Sequence, residues 1–271
     1  MNKKLPAVPY LLWMAVFILL PLGLVVYFAV TDPAGRFTVE NISAVGQYVP
    51  VILNSIWLAA ISTVICLLIG YPLAFLISRM EGNHQRTMVM LIMLPMWMSF
   101  LLRTYAWMTL LEQNGVINTL LGYLGLGPFR MINTQGAVIL GMVYNFLPFM
   151  ILPLYSVMVK IDKSVIEAAQ DLGANSMGIM GRVVIPLTIP GITTGIIQVF
   201  VPSISTFVIS KMLGGGSTML IGDLIELQFL GGSYNLNLGS AISLVLMIII
   251  LLMMAVTNVF DDMEDKEAMF L

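Results

Sequence analysis

The side chains able to do chemistry are few, and their types narrow the chemistry sharply. The one histidine, His84, lies in a polar stretch without a second ligand nearby, and the one cysteine, Cys66, lies inside an apolar run. An internal disulfide and a thiolate or imidazole metal cage are therefore excluded. No Ser-His-Asp relay can be assembled around His84, and no G-x-x-x-x-G-K-[ST] loop is present to hold ATP. What remains are scattered carboxylates, aromatic rings and an arginine. Glu112, Asp223 and Glu226, together with Trp97, Tyr105, Trp107 and Tyr144, suit the holding of a cation. Carboxylates attract it directly and ring faces through their quadrupole. Asp223 and Glu226 are spaced i,i+3 and share one helix face. The same rings also fit the aromatic belt common at membrane–water boundaries.

Arg103 is the charge most deeply set in apolar sequence. At a bilayer centre it costs about 2.5–3.5 kcal/mol, so it should face protein or water. With Ser99 and Trp107 it forms an i,i+4 stripe. Such a stripe could line a pathway, or Arg103 could stack on Trp107 in a structural, gating or subunit-pairing role. An arginine repels a cationic ligand, which favours the second reading. The 22 methionines read as apolar filler, because a copper route would add clustered Cys or His.

The elements that must position these groups are membrane spans. Of 271 residues, 59% are hydrophobic and 10% charged, against about 25% charge in an average soluble domain. A soluble globule of this size cannot hide that much apolar side chain. The composition also excludes a disordered chain, a coiled coil and a disulfide scaffold, and no basic cluster invites nucleic acid. About 20 apolar residues cross the hydrocarbon core. Six segments qualify, near Pro9–Val30, Pro50–Ser78, Thr87–Leu111, Thr134–Met158, Val184–Ser210 and Leu238–Phe260. Backbone groups in lipid must be satisfied internally, so each is expected to be a helix and the fold all-α. The first segment follows Lys3 and Lys4 but is too long for a signal-peptide core, so it is expected to be retained.

With the N-terminus inside, Lys3, Lys4, Arg79, Arg86, Lys160, Lys163, Arg182 and Lys266 lie on the cytoplasmic side, against Arg36, Arg130 and Lys211 outside. The positive-inside rule therefore predicts N-in and C-in. The whole chain, 1–271, is expected to form one transmembrane unit, with an inner loop at 160–183 and an outer loop at 211–237 that holds a possible gate helix, Met219–Leu230. Pro21, Pro72, Pro95, Pro148, Pro153, Pro186, Pro190 and Pro202 predict kinks. Gly191 with Gly195, and Gly239 with Ser243, predict close helix approach.

The inner loop carries the strongest pattern. Lys160–Leu187 reads KIDKSVIEAAQDLGANSMGIMGRVVIPL. Ser164 and Glu167 are spaced as a capping box, with Asp162 as a competing cap. Lys163 and Glu167 are placed to pair at i,i+4. Val165, Ile166, Ala169 and Leu172 make one side apolar, and Gly173 permits a left-handed stop. A second short helix from Asn175 then leads through Arg182 to the fifth crossing. A lone helix this short is marginal and needs a surface to pack on. Its mixed charges, including Glu167 and Asp171, suit a protein partner better than a lipid surface.

At these residues the chain resembles the permeases of binding-protein-dependent ABC importers. Their EAA loop reads E-A-A-x3-G-x9-I-x-L-P. Here Glu167-Ala168-Ala169, Gly173 and Val183-x-Ile185-Pro186 occupy its places, with Val183 for Ile and Ile185 for Leu. Ser99–Met108, Gly141–Ser156, Asp162–Ala174 and Met219–Leu230 are similar to the B-type permease of spermidine/putrescine importers. The resemblance implies a type I importer permease fold in a bacterial inner membrane. It implies that Glu167, Ala168, Ala169, Asp171, Gly173, Arg182 and Pro186 belong to a coupling element docked on an ATPase. It further implies two ATPase subunits, which bind the ATP, a second and different permease, and an extracytoplasmic polyamine-binding protein. The chain itself would need no cofactor and would not be an enzyme. Import of ferric ion, thiamine or sulfate by the same machinery, and an ATP-independent channel or secondary transporter, stand as alternatives.

Overall fold

The structure, a computed structural model, describes residues 8–232 and 234–268, and side chains within residues 9–257. Among the described residues all regular structure is helical apart from one bridge, Thr31 to Phe37. Three helices are long and apolar enough to cross a membrane unbroken: α1 (Pro9–Ala29), α2 (Glu40–Arg79) and the later Gln135–Met158. A fourth such stretch, Leu236–Thr257, belongs to the last helix.

The two other expected crossings are broken, which corrects the continuous spans read from sequence. α3 (Gly82–Trp97) and α4 (Phe100–Tyr123) meet at 88°. Counting each bent pair as one crossing gives six. Pro95 begins a tight turn at Leu94–Trp97, and Met98 and Ser99 are then extended. Proline removes a backbone donor and so favours a break there. After α5 (Gln135–Met158) come α6 (Lys163–Asp171), α7 (Ser176–Leu187) and α8 (Ile189–Ser205), the last two inclined by 68°. Thr188, between Pro186 and Pro190, is the hinge. Thr206 is extended and ends α8, so the expected fifth span also loses its last turn to α9 (Val208–Gly214). α10 (Ile221–Leu230) and α11 (Leu236–Ala268) complete the chain. Pro72, Pro148, Pro153 and Pro202 lie inside unbroken helices. Sharp breaks occur where two prolines bracket three residues, Leu187 to Ile189, or where proline opens a short turn.

α5 is the central post, packed most extensively on α2 and α8. Its Met142, Met150, Leu154 and Met158 are fully buried with Leu58 and Cys66 of α2. Close approach depends on the expected small residues. A Cβ on Gly191 would lie 3.1 Å from the Pro153 carbonyl oxygen of α5. A second core joins Ala29, Ala59, Ile204, Ile221, Leu224 and Ile242, tying α1, α2, α8, α10 and α11 together. α1 otherwise presents Tyr10, Leu12, Trp13 and Phe17 outward, as a lipid-facing helix does.

The loops sort to opposite ends as alternating crossings require. Asn237 Nδ2 donates to the carbonyls of Phe28 (3.1 Å) and Thr31 (2.6 Å), joining the end of α1 to the start of α11. The Asn133 amide donates to the Leu213 carbonyl (2.8 Å), joining the loop after α4 to α9. Those loops are the outer ones in the N-in orientation, and α6–α7 lies at the other end. Lys3 and Lys4 lie outside the described residues, as does the side chain of Lys266.

Candidate functional site

The inner loop folds into a helix, a left-handed stop and a second helix. Asp162 wins the competition to start α6: its carboxylate accepts the Ser164 amide at 3.1 Å. The Ser164–Glu167 capping box expected from spacing is not formed, because Ser164 already sits inside the helix. The Ser164 N–H holds the Asp162 carboxyl below its ordinary range. The Lys163–Glu167 pair is also not made; among the described residues the salt bridge present is Lys211–Glu226.

α6 ends in two bonds that define a Schellman stop: Gly173 N–H to Gln170 O (2.8 Å) and Ala174 N–H to Ala169 O (3.1 Å). Gly173 sits at φ +82°, a conformation costly for any residue with a Cβ. Asn175 then caps α7, accepting the Gly178 amide at 2.8 Å.

No side chain of α6 is buried against the rest of the chain. Glu167, Ala168 and Asp171 are exposed, and Leu172 is 89% and Met177 84% exposed. Ala169, Leu172, Gly173, Asn175, Gly178 and Arg182 line a recess of about 530 Å³ in the crook between α6 and α7. Leu172 and Met177 thus stand uncovered beside this recess.

This elbow is tied to the spans through Thr188. Its buried hydroxyl bonds the carbonyls of Val184 (2.9 Å) and Ile185 (3.0 Å) and the Tyr71 hydroxyl of α2 (2.9 Å). Sequence reasoning missed Thr188 and Tyr71. A threonine between two prolines was the available signal, since its hydroxyl can bond back to the carbonyls three and four residues before it where the helix breaks.

The residues read as cation partners separate. Asp223 and Glu226 come together in α10, where Lys211 Nζ pairs with Glu226 and lies 5.9 Å from the Phe207 ring centre. Asp223 Oδ2 accepts the Leu220 amide at 2.8 Å, and burial pushes this carboxyl above its ordinary value against the opposing pull of that bond. Trp107 and Tyr144 meet edge to face, with ring centres 5.4 Å apart. Trp97, Tyr105 and Glu112 stay exposed and apart from these pairs. Arg103 is buried at 8% exposure, with Nε and Nη1 unpartnered. It does not stack on Trp107; the rings beneath cations are Phe75 for Arg79 and Phe207 for Lys211. The stripe from Ser99 changes environment along its length: Ser99 is exposed, Arg103 buried and Trp107 half-buried.

Residues 19–267 match the family model described as binding-protein-dependent transport system inner membrane component. The chain belongs to that family. It is thus a multi-pass inner-membrane permease of an ABC importer, working with a binding protein and ATPase subunits rather than hydrolysing ATP itself. The permease is 40% identical over 254 residues to the spermidine/putrescine transport system permease protein PotB of Haemophilus influenzae, covering 90% of this chain and 88% of that protein. The PotB of Escherichia coli is 36% identical over 254 residues, with 90% and 92% covered. Among solved structures, a bacterial ABC transporter that imports the acidic polysaccharide alginate aligns with TM-score 0.76 at 18% identity, covering 95% of this chain and 93% of that one. The permease therefore has the importer fold.

Proposed function

We propose that this permease carries polyamines, spermidine or putrescine, and forms half of their pathway with a second, different permease. The 40% identity to a spermidine/putrescine permease across 90% of the chain carries this reading. Two copies of an ATPase bind the ATP, and an extracytoplasmic polyamine-binding protein delivers substrate to the outer loops. The elbow of Glu167, Ala168, Ala169, Asp171, Gly173, Arg182 and Pro186 is the coupling element. Its exposure, its rigid Schellman stop and its tie through Thr188 to α2 support that role. A push on α6 passes into α7 and to the 68° bend at Thr188, where α8 and α2 meet. Two arrangements of that bend would differ in discrete contacts, as switching between inward and outward access needs.

Spermidine-loaded binding protein should stimulate ATP hydrolysis by the assembled complex in nanodiscs. Stimulation by ferric ion, thiamine or sulfate with their binding proteins, and none by polyamine, would refute the substrate. Uptake by this chain alone in liposomes without an ATPase would refute the driven mechanism.

A further inference from the structure

A cavity of about 140 Å³ beside α10 is lined by Lys211, Thr218, Met219, Asp223, Glu226 and others, away from the inner elbow. Three observations meet there. Asp223 is only 7% exposed and its Oδ1 has no partner. Ser210 approaches that carboxylate but donates its hydroxyl to the Phe207 carbonyl at 2.9 Å. A buried carboxylate oxygen without a donor is costly, and the same Asp223 lines this cavity. Lys211 already shows which donor fits: its primary ammonium rests on Glu226 and lies near the Phe207 ring face.

We infer that this cavity is an ammonium subsite of the outer pathway, occupied at rest by Lys211 and taken over by a primary ammonium of the arriving substrate. The inference rests on the polyamine reading for the identity of that substrate. A protonated amine entering the cavity meets Glu226, with the buried Asp223 carboxylate beside it in the lining, and charge-assisted bonds to carboxylates suit a desolvated ammonium. Because Lys211 is tethered and half-exposed, it leaves toward solvent without breaking the fold. Its competition keeps the site from holding one amine too tightly, as a conduit requires.

The test uses the assembled transporter in nanodiscs carrying Met219→Cys, since Met219 lines the cavity at 43% exposure while the chain's own thiol, Cys66, is fully buried. Labelling rates are compared for a trimethylammonium and a sulfonate methanethiosulfonate. The cationic reagent should react about tenfold faster, through its local enrichment by the carboxylates. Glu226→Gln or Asp223→Asn should reduce that preference, and putrescine should protect the thiol. Lys211→Met should lower the putrescine concentration needed for protection. Equal reagent rates, protection by sodium at matched ionic strength as good as by putrescine, or an unchanged putrescine requirement in Lys211→Met would each overturn the inference. Spermidine-stimulated ATP hydrolysis by the unmodified complex is read in parallel. Its absence alongside charge-selective labelling and amine protection would sink the transported substrate and leave the ammonium subsite standing.

Discussion

At the scale of single residues, the consequential groups are those whose polar atoms are placed without room for exchange. Asp162 caps α6 through the Ser164 amide, and its carboxyl is held below the ordinary range by that bond. The depressed value means that its contribution is present above the unfolded pKa and lost as pH falls through the folded one. Hydrogen exchange of the α6 amides, corrected for intrinsic rates, should therefore lose protection on acidification into that range. Asp162→Ala should start from the unprotected level and show little pH dependence of this kind. Thr188→Val removes the bond to Tyr71 while keeping the side chain's shape. It should destabilise the permease by about 1 kcal/mol, measured by thermal unfolding in detergent, and lower transport more than hydrolysis. Such residue-level facts were only partly legible in sequence. Asp162 was visible as a candidate cap, but spacing could not rank it against Ser164, because either residue can cap the amides two and three positions after it. The orphaned atoms of Arg103 and Asp223 were invisible, since partners come from elements far away in the chain.

At the scale of elements, the inner elbow was readable and the broken spans were not. The helix, glycine stop and second helix follow from local rules: cap, apolar side, left-handed residue. Hydropathy registers composition and not direction, so a span bent by 88° after Pro95 has the same signature as a straight one. Many prolines were present, and only the surrounding packing decided which became breaks. Gly173→Ala forces a Cβ into φ +82°; it should cost about 1–2 kcal/mol locally and reduce transport per ATP hydrolysed. Gly173→Pro should uncouple the two fully while membrane insertion, checked by protease protection, is retained. Gly222 packs against the Ser205 and Thr206 carbonyls, where an added Cβ would collide with fixed backbone. Gly222→Ala should destabilise the outer end of the bundle by about 1–3 kcal/mol, seen as earlier thermal unfolding, with the inner elbow's exchange protection unchanged.

At the scale of the whole molecule, the proposed coupling has the layout of a lever with a fulcrum. The exposed elbow of α6 and α7 stands at one end, the α2–α5–α8 packing in the middle and the α9–α10 cavity at the other. The membrane class and the orientation came from composition and the basic residues alone. Where α6 docks could not, because a docking face is defined by the partner that covers it. On the proposed mechanism an ATPase grips the exposed helix Lys163–Asp171 and moves it. The direct measurement is crosslinking from Gln170→Cys, an exposed position on α6, to the ATPase subunit in the assembled transporter during turnover. A permease–ATPase crosslink is expected, with a yield that changes between nucleotide-free and ATP-trapped complexes. A complex that hydrolyses ATP and imports substrate with no such crosslink, and with Gln170→Cys labelled instead by a lipid-phase probe, would contradict it.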